Sequence, residues 1–553
     1  MSSIVALHAL WPFIALAASS EAVVRHRPHI IMVVADDQGW NNLGFHNPHL
    51  LTPHTNELVA QGVALKRHYV YKFCSPTRCS ALSGRLPIHV NQENSATEQP
   101  LAGIPLNMTA FPARLREVGY KTHQIGKWHA GQASPDHIPT GKFRGFDTAL
   151  SFFDFGEDHY TQRRGGQALK ANRASDSGGG ICPEAVDLYG SHGPAYDKNG
   201  TYGGFTFTSE AVARIEAHDP STPLFMYIAF QNIHPPLQVP HEYVMRYGNK
   251  TAQTAVNGMI TFLDERLGNV TAALKRKGLW ENTLLVYSPD NGGYQGNGGD
   301  DTPLRGGKFS DFDGGTRVAA FATGGFLPAS VRGTTNDGLI HIADWYATFC
   351  ALAGVQDVTD QRAAAAGLPP LDSLDVGPLL LGVNKTSPRT EIVLSAFNVT
   401  SLSSEPQHVA TPSYFGKGEG VVAGPDAQGK LWKLITGTQL PGPFGKKVTN
   451  RCPDGEERGW SPKNTGVSCT CEAGCLYDLT SDETESHNVA TKFPDLLREM
   501  QARLVRARMT VYAPYRGDPD PEACKANERN SGFWSPWLPS QEIEEPEELE
   551  FSV

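Results

Sequence analysis

The chain has 553 residues, of which 40% are hydrophobic and 19% are charged, so it is long enough for a large core and for more than one domain. Its formal net charge of −10 argues against a general nucleic-acid-binding protein, because such proteins carry basic surfaces. Part of this acidity lies in the tail at residues 541–550, which we expect to be a solvated end of the chain.

The first 22 residues resemble a secretory signal peptide. An apolar run from Ile4 to Ala18 is followed by small residues, although no Lys or Arg precedes the run. No later segment is apolar for long enough to span a membrane. We therefore expect a protein of the secretory pathway that is lysosomal or extracellular, and six N-x-[ST] sequons fit that route: Asn107, Asn199, Asn249, Asn269, Asn384 and Asn398.

The first predicted strand ends in two acidic residues. An apolar run beginning at Ile30 leads directly into Asp36 and Asp37, which predicts a buried central strand with both acids at its carboxyl end. Two adjacent carboxylates repel each other, so a bound cation is a reason to hold both. The alternative is a turn with solvated acids.

A short predicted helix follows, from Cys74 to Gly84. Its N-terminus favours an anion because of the backbone N–H groups and the helix dipole, and Arg78, one turn further on, could face the same point. For an isolated C-x-P-x-R pattern the alternative is a buried or disulfide-bonded cysteine beside a surface arginine.

Three later apolar strands, separated by helical patterns, also end in polar groups. They lead to Lys127 and His129, to His234, and to Asp290 with Asn291. In open α/β sheets the ligand lies outside the carboxyl ends of the strands, so we expect these groups to converge. The sequence thus predicts an α/β fold whose large sheet is mixed, mostly parallel and flanked by helices.

The rest of the chain adds a glycine-rich loop and a second domain. The loop, residues 303–308, carries Lys308 and does not have the spacing of a Walker A motif. From about residue 389 short strands and one amphipathic helix predict a smaller α+β domain with a short antiparallel sheet. We therefore expect a signal peptide at 1–22, a catalytic domain at 23–388 and the smaller domain, with its acidic tail, at 389–553.

The nine cysteines are an odd number. If other chemistry uses Cys74, the remaining eight could all pair in an oxidising compartment, although sequence does not give the connectivity. A zinc site at Cys469, Cys471 and Cys475 lacks the usual finger spacing, so we favour disulfides.

The converging groups form an oxygen-rich set and a basic set. Oxygen ligands suit Ca²⁺ or Mg²⁺ better than zinc, and histidines can transfer protons. Together they predict a site for an anionic tetrahedral ester. The oxygen-rich set is Asp36, Asp37, Asp290 and Asn291, and the basic set is Arg78, Lys127, Lys308, His129 and His234.

Six blocks of the chain resemble, in order, those of the sulfatase family. The resemblance runs from about residue 28 into the C-terminal domain and implies an alkaline-phosphatase-like fold and hydrolysis of sulfate esters of aryl or sugar alcohols, with N-acetylgalactosamine 4-sulfate groups of glycosaminoglycans as one option. Thr77, Gln38 and Asp372-Ser373 depart from the usual pattern and affect the subfamily, not the reaction. The blocks are residues 36–40, 74–85, 126–129, 234–240, 290–293 and 303–308.

The resemblance also implies a role for each residue. A formylglycine-generating enzyme would oxidise Cys74 to formylglycine, the hydrated nucleophile, with a carboxylate such as Asp290 as base. His234 or Lys308 would protonate the leaving alcohol, and His129 would take the proton of the second hydroxyl as sulfate leaves. The sulfate would be held by Arg78, Lys127, His234 and Lys308, and one Ca²⁺ by Asp36, Asp37, modified Cys74, Asp290 and Asn291.

Two other functions remain open from the sequence. One is a phosphatase or phosphonate-ester hydrolase of the same fold, which usually needs a Ser or Thr nucleophile and often two metals. The other is a glycan-binding pseudo-enzyme in which Cys74 stays a thiol.

Overall fold

The computed structural model describes residues 27–94, 96–164, 181–182, 185–397, 418–439, 458–459 and 467–540. The predicted signal peptide, the acidic tail, Asn398 and Cys452 lie outside these ranges. Within them, every helix is too short or too polar to cross a bilayer.

The strands of the described residues form three sheets. In the ten-stranded sheet the order is β11-β2-β10-β9-β1-β8-β4-β5-β6-β7, and its central strands β9, β1, β8, β4 and β5 are parallel. Strand β12 pairs with β3, and the C-terminal sheet has the order β13-β14-β15-β17-β16. In chain order the strands are β1 (His29–Ala35), β2 (Val63–Leu65), β3 (His68–Tyr69), β4 (Lys121–Lys127), β5 (Thr148–Phe152), β6 (Tyr189–Gly190), β7 (Gly193–Pro194), β8 (Leu224–Ala229), β9 (Thr283–Pro289), β10 (Ala320–Thr323), β11 (Thr334–Asn336), β12 (Ile340–His341), β13 (Glu391–Ser395), β14 (Glu419–Ala423), β15 (Trp432–Gln439), β16 (Arg458–Gly459) and β17 (Val467–Asp478).

Helices cover both faces of the large sheet. In the described ranges they are α1 (Pro53–Ala60), α2 (Cys74–Ser83), α3 (Pro87–Val90), α4 (Phe111–Glu117), α5 (Gly203–Ala217), α6 (His241–Met245), α7 (Ala252–Arg276), α8 (Asp313–Thr316), α9 (Asp344–Ala353), α10 (Gln361–Ala365), α11 (Gly377–Leu380), α12 (Pro494–Thr510) and α13 (Pro521–Arg529).

The central strand β1 is buried on both sides, which explains its unbroken apolar sequence. Ile30, Met32 and Val34 point into one core cluster, which also contains residues of α2, α4 and α9. The alternate residues Ile31 and Val33 point into the opposite cluster, where α7 packs. The strand has no solvent-facing side, and the acidic residues Asp36 and Asp37 follow directly after its last residue.

The C-terminal sheet forms a smaller α+β unit. Its strands are antiparallel, and the amphipathic helix α12 packs on it through Met500 and Leu504, which contact the cluster containing Val421 and Leu434. The predicted fold class, a large mostly parallel sheet with a smaller C-terminal α+β unit, is confirmed.

The cysteine pairing predicted from the count is wrong. Cys79 and Cys350 are free, buried thiols, as is Cys74, because each of the two lies on a core-facing side of its helix. The disulfides among the described side chains are Cys182–Cys524 and Cys471–Cys475.

The Cys182–Cys524 disulfide should stabilise the fold. It joins residues 342 positions apart and ties the segment before β6 to α13. Cross-links over long loops restrict the unfolded chain most, so we expect a Cys182→Ser/Cys524→Ser variant to lose about 2–4 kcal/mol of unfolding free energy. Chemical denaturation measures this loss, and an unchanged midpoint would contradict it.

Candidate active site

The polar strand ends converge at one edge of the large sheet, as predicted. Lys127, the last residue of β4, places its Nζ 2.6 Å from Oδ2 of Asp36, which follows β1. Lys308 Nζ lies 2.6 Å from Oδ1 of Asp37, and the backbone N–H of Asp37 donates to Oδ1 of Asp290, which follows β9. All the candidate site residues are buried: Asp36, Asp37, Cys74, Arg78, Lys127, His129, His234, Asp290, Asn291 and Lys308.

Helix α2 delivers Cys74 to the centre of this cluster. Gly84 caps the C-terminus of the helix with φ 67°, and a Cβ there would lie 2.7 Å from the ring of Tyr346, so glycine is required. Cys74 Sγ lies 3.5 Å from both Asp36 Oδ1 and Lys308 Nζ. Burial raises the pKa of the Cys74 thiol to about 12, although Lys127 and Lys308 oppose this effect. The unmodified thiol is therefore protonated at neutral pH.

Arg78 holds Asp290 from the same helix and is not the surface arginine of the alternative interpretation. Its Nε and one terminal nitrogen donate to Asp290 Oδ2 at 3.1 and 2.7 Å, and it lies 3.7 Å from Asp36. Burial and the neighbouring Asp36 raise the pKa of Asp290 to about 6, against the effect of Arg78.

Two buried oxygens of the site have no hydrogen-bond partner among the described residues. They are Asp37 Oδ2 and Asn291 Oδ1, and the Asn291 amide donates to the other oxygen of Asp37 at 2.8 Å. Ligand atoms of Asp36, Asp37, Cys74 and His234 all lie within 4.8 Å of one another. Buried oxygens without a donor fit a hard cation. Burial raises the pKa of Asp37, but the Lys308 ammonium and the hydrogen bond from Asn291 lower it to about 2, so this carboxyl is ionised.

The two histidines of the site are neutral. Burial and the nearby cations lower the pKa of His129 and of His234 well below 6.5. His234 Nδ1 donates to the carbonyl of Pro235 at 2.7 Å, so its unprotonated Nε2 faces Asp37 Oδ2, 3.9 Å away. Neutral His234 therefore has no proton on the nitrogen that faces the site.

Three non-glycine residues at the site have left-handed backbone conformations. They are Asp37, His129 and Phe309, with φ values of 58°, 47° and 77°. Such conformations cost about 1–3 kcal/mol each and persist only where the surrounding structure imposes them. The site is thus held in a strained geometry by its surroundings.

Sequence reasoning missed residues that support the site from other elements. Tyr227 of β8 lies beside Arg78, and burial raises the pKa of its phenol to about 12. Gly156 lies against the ring of His234, where a Cβ would be 2.7 Å from Nδ1. Tyr227 could have been suspected as a polar residue in a buried strand, whereas Gly156 gave no signal.

Comparisons with known proteins identify the family of this chain. The sulfatase family profile matches residues 28–355. The chain is 32% identical over 524 residues to arylsulfatase J of Mus musculus, covering 92% of this chain and 80% of that protein. It is 28% identical over 524 residues to arylsulfatase A of Homo sapiens, covering 89% and 90%. The crystal structure of Ps i-CgsB in complex with k-i-k-neocarrahexaose has a TM-score of 0.68 and 22% identity, covering 92% of this chain and 98% of that chain, and shows the same fold. The chain therefore belongs to the sulfatase family and is a sulfatase enzyme.

Proposed function

We propose that this sulfatase hydrolyses sulfate esters of aryl or sugar alcohols, with a formylglycine made from Cys74 as its nucleophile and one Ca²⁺ ion beside it. The observation that carries the proposal is the position of Cys74, buried between the carboxylate of Asp36 and the ammonium of Lys308. A thiol with a pKa of about 12 is protonated at neutral pH and is therefore a poor nucleophile. An unmodified Cys74 would be badly suited to attack the ester, whereas a modified one would not depend on this pKa.

The cation would be held by the oxygen-rich set and by the modified Cys74. Asp37 Oδ2 and Asn291 Oδ1 are buried and without donors among the described residues, so both are available as ligands, and Asp36 and Asp290 complete the set. Carboxylate and amide oxygens suit Ca²⁺. When bound, the ion supplies positive charge for the sulfate oxygens and for the nucleophile. Formylglycine would supply a hydrated aldehyde with two hydroxyls. One would form the new bond to sulfur, and loss of the proton of the other would re-form the aldehyde C=O as the C–O bond to the sulfate breaks.

Lys308 is the better proton donor for the leaving alcohol. The sequence left His234 and Lys308 as alternatives. Asp37 and Asp36 raise the pKa of Lys308 well above its usual value, although burial opposes them, so it carries a proton. His234 is neutral, and its only ring proton is used by the Pro235 carbonyl. We assign proton donation to Lys308 and substrate contact to His234 and Lys127.

The remaining groups have complementary roles. His129 is neutral with a buried Nδ1 that has no partner among the described residues, so it can accept the proton of the second hydroxyl. Arg78 and Lys127 provide fixed positive charge for the transferring sulfate. Asp290 can assist as a base, since its pKa of about 6 leaves it largely ionised at neutral pH.

The wider biology follows from the same assignment. A formylglycine-generating enzyme would act on Cys74 during maturation. The sulfatase itself would be lysosomal or secreted. We place the catalytic domain at 23–388 and the smaller domain at 389–553. The substrate would be a sulfated small molecule or glycan, and N-acetylgalactosamine 4-sulfate is one compound to assay.

The test is a comparison of matched esters. We expect kcat/KM for 4-nitrophenyl sulfate to exceed that for 4-nitrophenyl phosphate by at least about a hundredfold, because a site that places its charges for one anion discriminates by several kcal/mol. The leaving group is identical, so the ratio reports the transferred group alone. A preference for phosphate would favour the phosphatase alternative and contradict the proposal.

A further inference from the structure

Two buried polar networks join the active-site loops to the C-terminal sheet. In the first, the Lys433 network, the ammonium of Lys433 on β15 lies 2.8 Å from a carboxylate oxygen of Asp313 and 2.8 Å from one of Glu485. The other oxygen of Glu485 accepts the backbone N–H of Asp313 at 2.7 Å. All three side chains are buried.

The second, the Lys72 network, is built on Asp311. The Lys72 ammonium lies 2.7 Å from Asp311 Oδ2 and also donates to the carbonyl of Gly418. Ser395, at the end of β13, donates to Asp311 Oδ1 at 2.8 Å. Gln439, at the end of β15, accepts from the Asp311 backbone N–H at 3.0 Å and donates to Oδ2 at 3.2 Å.

The two networks hold the chain segments next to the catalytic groups Cys74 and Lys308. Lys72 lies two residues before Cys74, and Asp311 and Asp313 lie three and five residues after Lys308. Phe309, which directly follows Lys308, has φ 77°, and its N–H donates to the carbonyl of Lys72 at 2.7 Å. A bulky residue keeps this conformation only under external constraint, and the C-terminal sheet supplies contacts at Asp311 and Asp313.

We propose that Lys433, Glu485 and Gln439 are positioning residues of the sulfatase site. They fix segment 308–313 so that Lys308 Nζ stays within reach of Asp37 and Cys74. The C-terminal unit is then part of the catalytic apparatus. The proposal rests on the proton-donor role proposed above for Lys308.

The leaving-group dependence distinguishes positioning from mere stability. Proton donation matters little when the leaving phenol is strongly acidic and much when it is weakly acidic. A displaced Lys308 should therefore slow the poor leaving groups most. A general loss of folded protein slows all substrates by the same factor.

The experiment uses Lys433→Met/Glu485→Gln and, as a milder variant, Gln439→Met. In the first, Asp313 keeps Arg317 as a partner at 3.1 Å, so no carboxylate is left unpaired. The matched control is Asp344→Asn/Arg389→Met, which removes a buried ion pair between α9 and the residues before β13. Each protein, with Lys308→Met in parallel and in combination, is assayed on aryl sulfates whose phenols range from strongly to weakly acidic.

We expect both network variants to lose on the order of ten- to a hundredfold in kcat on weakly acidic phenols and clearly less on strongly acidic ones. In the Lys308→Met background they should cause no further loss, because they act through Lys308. A uniform loss, additive losses, or a control that behaves like the network variants would overturn the proposal. If Lys308→Met itself shows no leaving-group dependence, the proposed donor role fails first and the positioning role with it.

Discussion

Replacing Cys74 with alanine is expected to reduce kcat by on the order of 10⁴-fold or more while the protein still folds. The side chain would be the source of the nucleophile, and removal of a nucleophile leaves only binding and charge stabilisation. Cys74 makes no disulfide. Its Sγ lies 3.5 Å from Asp36 Oδ1 and 3.5 Å from Lys308 Nζ, and a thiol forms only weak hydrogen bonds. Turnover of an aryl sulfate and the thermal midpoint of unfolding measure the two effects.

Cys79 provides the control on the same helix. It is also buried and free, but its hydrogen-bond partners are Ser75 and Asn91, and neither is a catalytic residue. Cys79→Ala should keep activity within about threefold of wild type, even if it loses about 1 kcal/mol of stability. Mass spectrometry of the tryptic peptide that contains Cys74 completes the test. An unmodified thiol in active protein, or an active Cys74→Ala variant, would contradict the nucleophile assignment, whereas an unmodified thiol without any turnover would favour the pseudo-enzyme.

Removing the cation ligand Asp37 is expected to have the second-largest effect. In Asp37→Asn a neutral amide group replaces the buried carboxylate. One oxygen of that carboxylate, Oδ2, has no hydrogen-bond partner among the described residues. Wild-type protein treated with a chelator should regain about 2.7 kcal/mol of unfolding free energy when Ca²⁺ is added to a hundredfold excess over its Kd. The variant should show almost none of this stabilisation and should lose at least about a hundredfold in kcat.

Asp301 is the matched control for this experiment. It is a buried carboxyl next to the same loops, where it accepts the backbone N–H of Gly293 at 2.8 Å. Burial raises the pKa of Asp301 well above the usual range, and Asn keeps a side-chain oxygen that can accept the Gly293 N–H, so it is a close replacement. Asp301→Asn should keep the Ca²⁺-dependent stabilisation. Equal calcium responses in the two variants would contradict the ligand role of Asp37.

Much of the site could be predicted because it sits at strand ends. A strand buried on both faces has little room for charged residues except at its ends, where it leaves the sheet. The polar residues Asp36, Lys127, His234 and Asp290 therefore mark the carboxyl ends of their strands in the sequence itself, and parallel strands bring such ends together.

Other parts could not be predicted, because they depend on contacts between distant segments. The networks join Lys433 to Asp313 over 120 residues and Gln439 to Asp311 over 128. No local pattern encodes such pairs. The cysteine count misled for the same reason, since Cys79 and Cys350 are both buried in the large core cluster and yet both are free thiols.

The sequence by itself determined the fold class, the order of the site residues along the chain and the family, because hydrophobic periodicity and strand-end chemistry are local properties. Only the tertiary structure decided which oxygens lack donors, which nitrogen of His234 carries its proton and how the C-terminal sheet holds the segment after Lys308. Those properties depend on distances of a few ångströms between residues far apart in sequence, and packing alone sets such distances.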